Sequence, residues 1–159
     1  MSYSIRKATK DDMPQTFLLI KELARFEKET NAVEITVEDL QADGFGDTPK
    51  FQCFVAEANN TIEGIALVYN RYSTWKGETL HLEDLIVSEQ MRGSGLGTAL
   101  LNEVIKYGYD LGVKRINWEV LDWNAPAIAF YEKKGAQVKR DWDVVHLDEQ
   151  GIKDYISKL

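Results

Sequence analysis

The chain has 159 residues, 44% hydrophobic and 28% charged, a balance that supports one domain with a real core and excludes wholesale disorder. Nineteen Lys and Arg against 26 Asp and Glu leave a net charge of −7, which argues against non-specific nucleic-acid binding, because that needs a positive footprint. No apolar run approaches the roughly 20 residues that span a bilayer, the start MSYSIRKATKDD lacks the apolar stretch of a secretory signal, and a lone cysteine, Cys53, rules out an internal disulfide. These features predict a single cytoplasmic domain over residues 1–159 with neither a membrane nor a nucleic acid as partner. The charge is uneven: residues 1–90 hold 9 basic and 16 acidic side chains, whereas 91–159 hold 10 of each. An acidic first part suits a cationic ligand and a balanced second part tolerates an anionic one.

In chain order, Ser4–Ala8 reads as a short strand and Thr9-Lys-Asp-Asp as a helix start. Met13, Phe17, Ile20 and Ala24 recur at helical spacing, which carries that helix to about Phe26. Thr36-Val-Glu-Asp starts a second helix, stopped by Gly44, Gly46 and Pro49. Phe51–Ala58 and Ile62–Tyr72 are strands joined at Asn59-Asn60 as a hairpin. Thr79–Val87 is a further strand in which Leu80 and Leu82 share one parity while Leu85 and Val87 share the other. That phase slip at Glu83-Asp84 predicts a β-bulge, a device that re-aims groups beside active sites. Two-sided burial of the strand would explain the same pattern.

Leu96, Leu100, Leu101, Val104, Ile105, Gly108 and Leu111 then mark a long amphipathic helix ended by Gly112. Arg115–Leu121 is a strand, Asn124-Ala-Pro126 opens a helix that ends near Gly135, Gln137–His146 is a last strand, and Ile152–Leu159 is a terminal helix or tail. The order β-α-α-β-β-β-α-β-α-β is that of an α+β or mixed α/β domain.

Between the bulged strand and the long helix lies Arg92-Gly93-Ser94-Gly95-Leu96-Gly97-Thr98. Glycines at alternate positions let the backbone turn tightly, with N–H groups at the positive end of a helix dipole and an arginine fork beside them, which suits phosphate. The lysine of a P-loop is absent and GxGxG is not the dinucleotide spacing GxGxxG.

The loop resembles the acetyl-coenzyme A loop Q/R-x-x-G-x-G/A of the GNAT superfamily of N-acetyltransferases. Ala42-Asp-Gly-Phe-Gly-Asp47 with Pro49, Tyr72-Ser-Thr-Trp-Lys-Gly77, Leu82-Glu-Asp84 and Val120-Leu-Asp-Trp-Asn124 resemble its spermidine/spermine (diamine) acetyltransferase branch, most closely the thialysine N-ε-acetyltransferases. The similarity runs from about Ile5 to Leu147. It implies a central, mostly antiparallel twisted sheet with a splayed, bulged strand flanked by helices, acetyl-CoA as co-substrate, direct acetyl transfer to a small primary amine without a metal, and a homodimer.

Carried over residue by residue, the resemblance makes Glu83 the base that takes the proton of the amine and Tyr131 the acid that protonates the coenzyme A thiolate. Leu85, Ile86 and Val87 offer backbone groups to the pantetheine arm and acetyl carbonyl. Arg92, Gly93, Ser94, Gly95, Leu96, Gly97 and Thr98 hold the pyrophosphate, and Asn124, Ala127 and Tyr131 flank the cofactor. Phe26, Glu27, Glu83, Asp84, Asn117, Trp118 and Glu119 line the amine side. Read without the resemblance, Tyr131 follows Asn124 by two helical turns, so that it either faces one ligand with Asn124 or packs as core, and the carboxylate pair Glu83-Asp84 is either a cation site or a solvated strand end.

Three positions depart from the family pattern. His81 stands where tyrosine is usual and either tunes Glu83 or packs. Glu119 replaces an apolar residue. Arg140-Asp141-Trp142 replaces an acidic turn, which weakens the case for long polyamines. Cys53, inside a strand without a basic neighbour, is a poor nucleophile. Thialysine or a lysine-like amino acid is the favoured acceptor, with a diamine or polyamine next, and a non-catalytic acyl-CoA-binding sensor is the alternative of another class.

Overall fold

The computed structural model describes residues 2–159. They fall into two compact units, the first ending at Glu119 and the second running from Val120 to Leu159.

The first unit is built on a five-stranded sheet: β1 (Ser4–Lys7), β2 (Gln52–Ala58), β3 (Thr61–Ser73), β4 (Gly77–Val87) and β5 (Ile116–Asn117), in that spatial order. The first four are antiparallel neighbours; β5 joins β4 in parallel. The β2–β3 turn at Asn59-Asn60 has positive φ at both residues, 52° and 59°, the two-residue geometry that matches strand twist.

Two helices, α1 (Met13–Phe26) and α2 (Val37–Phe45), cover one face. Both starts follow the sequence signals. Thr9 opens a short 3-10 turn (Lys10–Asp12) that leads into α1, with Asp12 accepting from Thr9 N at 2.7 Å, and at α2 Asp39 N donates to Thr36 Oγ1 at 3.1 Å. Arg6 of β1 grips Asp12 with two donors, at 2.7 and 3.0 Å, and this holds the Asp12 carboxyl below its usual range. Met13, Leu19, Leu40, Cys53, Val55, Ile62, Ile65 and Ile86 form the core on this side. On the other face α3 (Leu96–Leu111) buries Leu96, Leu100, Leu101 and Val104 completely against β2, β3 and β4. Burying each such side chain contributes about 1.5–3 kcal/mol.

The expected bulge is present. Leu67 pairs with Asp84 and Val68 with Leu82, so Glu83 is an extra residue on β4. A second bulge, not anticipated, lies in β3: Ala56 pairs with Gly64 and Glu57 with Ile62, which leaves Glu63 over.

The strand expected over Arg115–Leu121 is reduced to Ile116–Asn117, because the parallel ladder stops after Leu80↔Ile116 and His81↔Asn117. Beyond His81, β4 is paired only on its β3 side, which is the splayed strand the resemblance implied.

The second unit contains α4 (Ala125–Lys133) and α5 (Glu149–Ser157). Asn124 and Asp148 cap them, accepting from Ala127 N at 3.3 Å and Gly151 N at 2.8 Å. No strand forms over 137–146. The regular elements of this unit are helices, and a strand without a ladder partner leaves its backbone groups unpaired. Among the described residues no helix is long and apolar enough to cross a membrane.

Candidate active site

Glu83 and its surroundings come from three strands of the first unit. The bulge turns the Glu83 side chain outward, half exposed, while His81, two residues earlier, is buried. His81 Nε2 lies 3.3 Å from Glu83 Oε2. Tyr69, which pairs with His81 across the β3–β4 ladder, donates its hydroxyl to the same oxygen at 3.3 Å. Asn117 of β5 places its amide nitrogen 2.6 Å from His81 Nδ1. Burial, then the charge of Glu83 and its hydrogen bond, push the Tyr69 hydroxyl above its ordinary pKa, with Glu119 adding to the effect.

Asp84, next in the strand, is a different kind of carboxylate. Burial, followed by the charges of Glu83 and Glu27, pushes it up to about 6. Glu27, at the end of α1, is itself raised by burial and by Glu29. Of the expected amine-side residues, the first unit therefore brings Glu27, Glu83, Asp84 and Asn117 into one electrostatic neighbourhood, with Glu119 beside Tyr69. Trp118 is half-buried directly after β5.

The glycine loop opens α3 as anticipated. Gly93 and Gly95 have φ of 76° and 91°, and a Cβ at either would point into open space, so these positions are glycine for backbone conformation. Gly97 differs: its φ is ordinary and a Cβ would only touch Val87 Cγ2 at 3.7 Å. No side chain caps α3, so its first N–H groups keep their capacity for an anion. Arg92 rests on α1, with its guanidinium 5.2 Å from the Phe26 ring centre and Nη2 4.0 Å from Glu22 Oε1. A cleft of about 720 Å³ lies there, lined by Glu22, Arg25, Phe26, Ser88, Glu89, Gln90 and Arg92.

Sequence reasoning missed Glu63. This buried bulge residue accepts from Ser88 Oγ and, at 3.0 and 3.1 Å, from Gln90 Nε2, so it anchors the segment that leads into the glycine loop. A charged residue beside Gly64 in an otherwise apolar run was the available signal. Cys53 is buried and its thiol is pushed up to about 12, mainly by burial, which makes it inert.

Within the second unit, Tyr131 is half-buried on α4, two turns after Asn124, with the Phe130 ring 5.4 Å away. Asn124 uses its side-chain oxygen as the cap of that helix through Ala127 N.

The profile of the acetyltransferase (GNAT) family matches residues 16–136. The chain belongs to this family. It is an N-acetyltransferase of the GNAT family, and its relatives narrow the branch. It is 40% identical over 165 residues to a thialysine N-ε-acetyltransferase of Bos taurus, covering 97% of each chain. It is 32% identical over 162 residues to a spermidine/spermine N(1)-acetyltransferase-like protein 1 of Homo sapiens, covering 96% of this chain and 23% of that one. An integron cassette protein from the mobile metagenome of V. cholerae shares the fold at a TM-score of 0.80 with 21% identity, over 98% of both chains. The α+β GNAT fold that the resemblance implied is thereby established.

Proposed function

We propose that this GNAT enzyme transfers the acetyl group of acetyl-CoA directly to the side-chain amine of thialysine or a lysine-like amino acid. The observation that carries this reading is the 40% identity to the bovine thialysine enzyme along 97% of both chains. The acidic neighbourhood of Glu27, Glu83 and Asp84 supports a cationic acceptor.

The acceptor arrives as an ammonium with a pKa near ~10.4, and it must lose a proton before nitrogen attacks the thioester carbonyl. Glu83, turned outward by its bulge, is the base, directly or through water. Asp84 and Glu27 hold the positive charge of the substrate, and Phe26, Asn117, Trp118 and Glu119 complete that wall. The open side of β4 at Leu85, Ile86 and Val87 supplies backbone groups to the acetyl carbonyl and pantetheine arm. The uncapped start of α3, from Arg92 through Thr98, fits a pyrophosphate: its N–H groups are uncommitted to side chains and Gly97 leaves room for close approach. Asn124 and Ala127 complete the cofactor side. Tyr131 protonates the departing thiolate, and no metal takes part. A homodimer in the cytoplasm accords with the same resemblance and the lone, buried Cys53.

Product analysis tests this. Thialysine incubated with enzyme and labelled acetyl-CoA should carry the label on its side-chain nitrogen, read by NMR. Label on the α-nitrogen, or none on thialysine alongside labelled spermidine, would move the enzyme to another acceptor class. Tyr131→Phe should lower turnover while leaving acetyl-CoA affinity unchanged.

A further inference from the structure

We infer that His81, fixed in one tautomer by Asn117, is a positioning residue for Glu83. A primary amide nitrogen bears only protons, so Asn117 Nδ2, 2.6 Å away, donates to His81 Nδ1. Nδ1 is then the acceptor of the ring, and the ring proton sits on Nε2, which faces Glu83 Oε2 at 3.3 Å. The N–H edge of the imidazole thus lies against the carboxylate that the bulge has turned toward solvent.

The surroundings reinforce that direction. His81 is 6% exposed, so its ring is held by packing, while the Glu83 side chain is 52% exposed and has no comparable packing of its own. Tyr69 stacks obliquely on the His81 ring, with centroids 5.0 Å apart, and donates to the same Glu83 oxygen. The Tyr69 hydroxyl donates to Oε2 and the polar edge of His81 lies against the same oxygen, which leaves Oε1 unclaimed by either. An exposed glutamate at a bulge would otherwise sample several rotamers; tethering one oxygen orients the other, and a misplaced base loses rate steeply. The pattern is that of a reacting group oriented by a histidine whose tautomer is set by a third residue. The register creates it: the last pair of the β4–β5 ladder is His81↔Asn117, directly before the strand splays.

The inference rests on Glu83 being the base, and the experiment separates the two. Amide substitutions mimic one ring nitrogen each: His81→Gln places its nitrogen where Nε2 was and keeps the donor, whereas His81→Asn reaches only as far as Nδ1 and loses it. Initial rates with acetyl-CoA and thialysine should show His81→Gln within about threefold of wild type. His81→Asn should lose about 10- to 100-fold in kcat, with KM for acetyl-CoA unchanged. In a Glu83→Gln background, itself slowed by about 10²-fold or more, the two His81 variants should be indistinguishable. Equal rates for the two variants in the native background, or equal losses accompanied by a raised acetyl-CoA KM, would overturn the positioning role while leaving Glu83 as base. A Glu83→Gln enzyme as fast as wild type would overturn the reading of Glu83 itself.

Discussion

Glu27 at the end of α1 and Asp84 in β4 are near enough for the charge of one to raise the pKa of the other. The fold thus gathers acidic groups that water and electrostatics would keep apart. Folding raises Asp84 from 3.8 to about 6, so between those values the native state holds more protons than the unfolded chain. Stability therefore falls as pH rises through that window, and the penalty persists above it. Asp84→Asn should stabilise the protein at pH 7.5 by about 2 kcal/mol, with the gain absent below pH 4, as urea unfolding at both pH values will show. The same ionisation should matter for substrate: KM for a cationic amine should drop as pH rises through about 6 and stay level in Asp84→Asn.

Gly97 and Gly95 should respond oppositely to alanine. An added Cβ at Gly97 would meet Val87 Cγ2 at 3.7 Å, an ordinary contact, and φ is ordinary, so Gly97→Ala should hold or raise stability, by up to about 1 kcal/mol for a helical glycine. A methyl there should nonetheless raise the acetyl-CoA KM if the loop holds pyrophosphate as proposed, since it would keep the backbone from the phosphate. Gly95→Ala forces alanine to φ +91° and should cost about 1–2 kcal/mol as well. Thermal melts and acetyl-CoA titrations distinguish the two. Loss of stability without loss of affinity at Gly97 would contradict the loop's assignment.

Glu63→Ala strands the donors of Ser88 and Gln90. Unfolding should become easier by about 1–3 kcal/mol, and acetyl-CoA should bind more weakly because the segment before the glycine loop loses its anchor. Thialysine KM, measured at saturating acetyl-CoA, should stay within twofold.

What was legible from sequence was what short-range chemistry encodes. The parity slip between Leu82 and Leu85 located the bulge at Glu83, Asn59-Asn60 located the hairpin, and alternate glycines located the start of α3. Both capping signals, at Thr9 and Thr36, marked real helix starts. Cross-strand register was not legible. Tyr69 meets His81, and His81 meets Asn117, only because two ladders align, and no local pattern states that alignment. Glu63 escaped for the same reason, since its partners Ser88 and Gln90 lie just beyond the end of β4. Arg92 was assigned to phosphate from its motif, yet its resting partners, Phe26 and Glu22, lie on a helix distant in sequence. The apolar residues of 137–146 suggested a strand, but strand formation depends on a partner edge that the second unit does not contain.

The most direct test of the account is a set of initial rates with acetyl-CoA against thialysine, lysine, putrescine, spermidine, spermine and a lysine peptide, following coenzyme A release with a thiol reagent. The proposed acceptor, supported by the 40% identity to the bovine thialysine enzyme, predicts clear preference for thialysine, with kcat/KM at least about tenfold above that for spermidine. Equal rates across the panel, or a preference for spermidine, would contradict it.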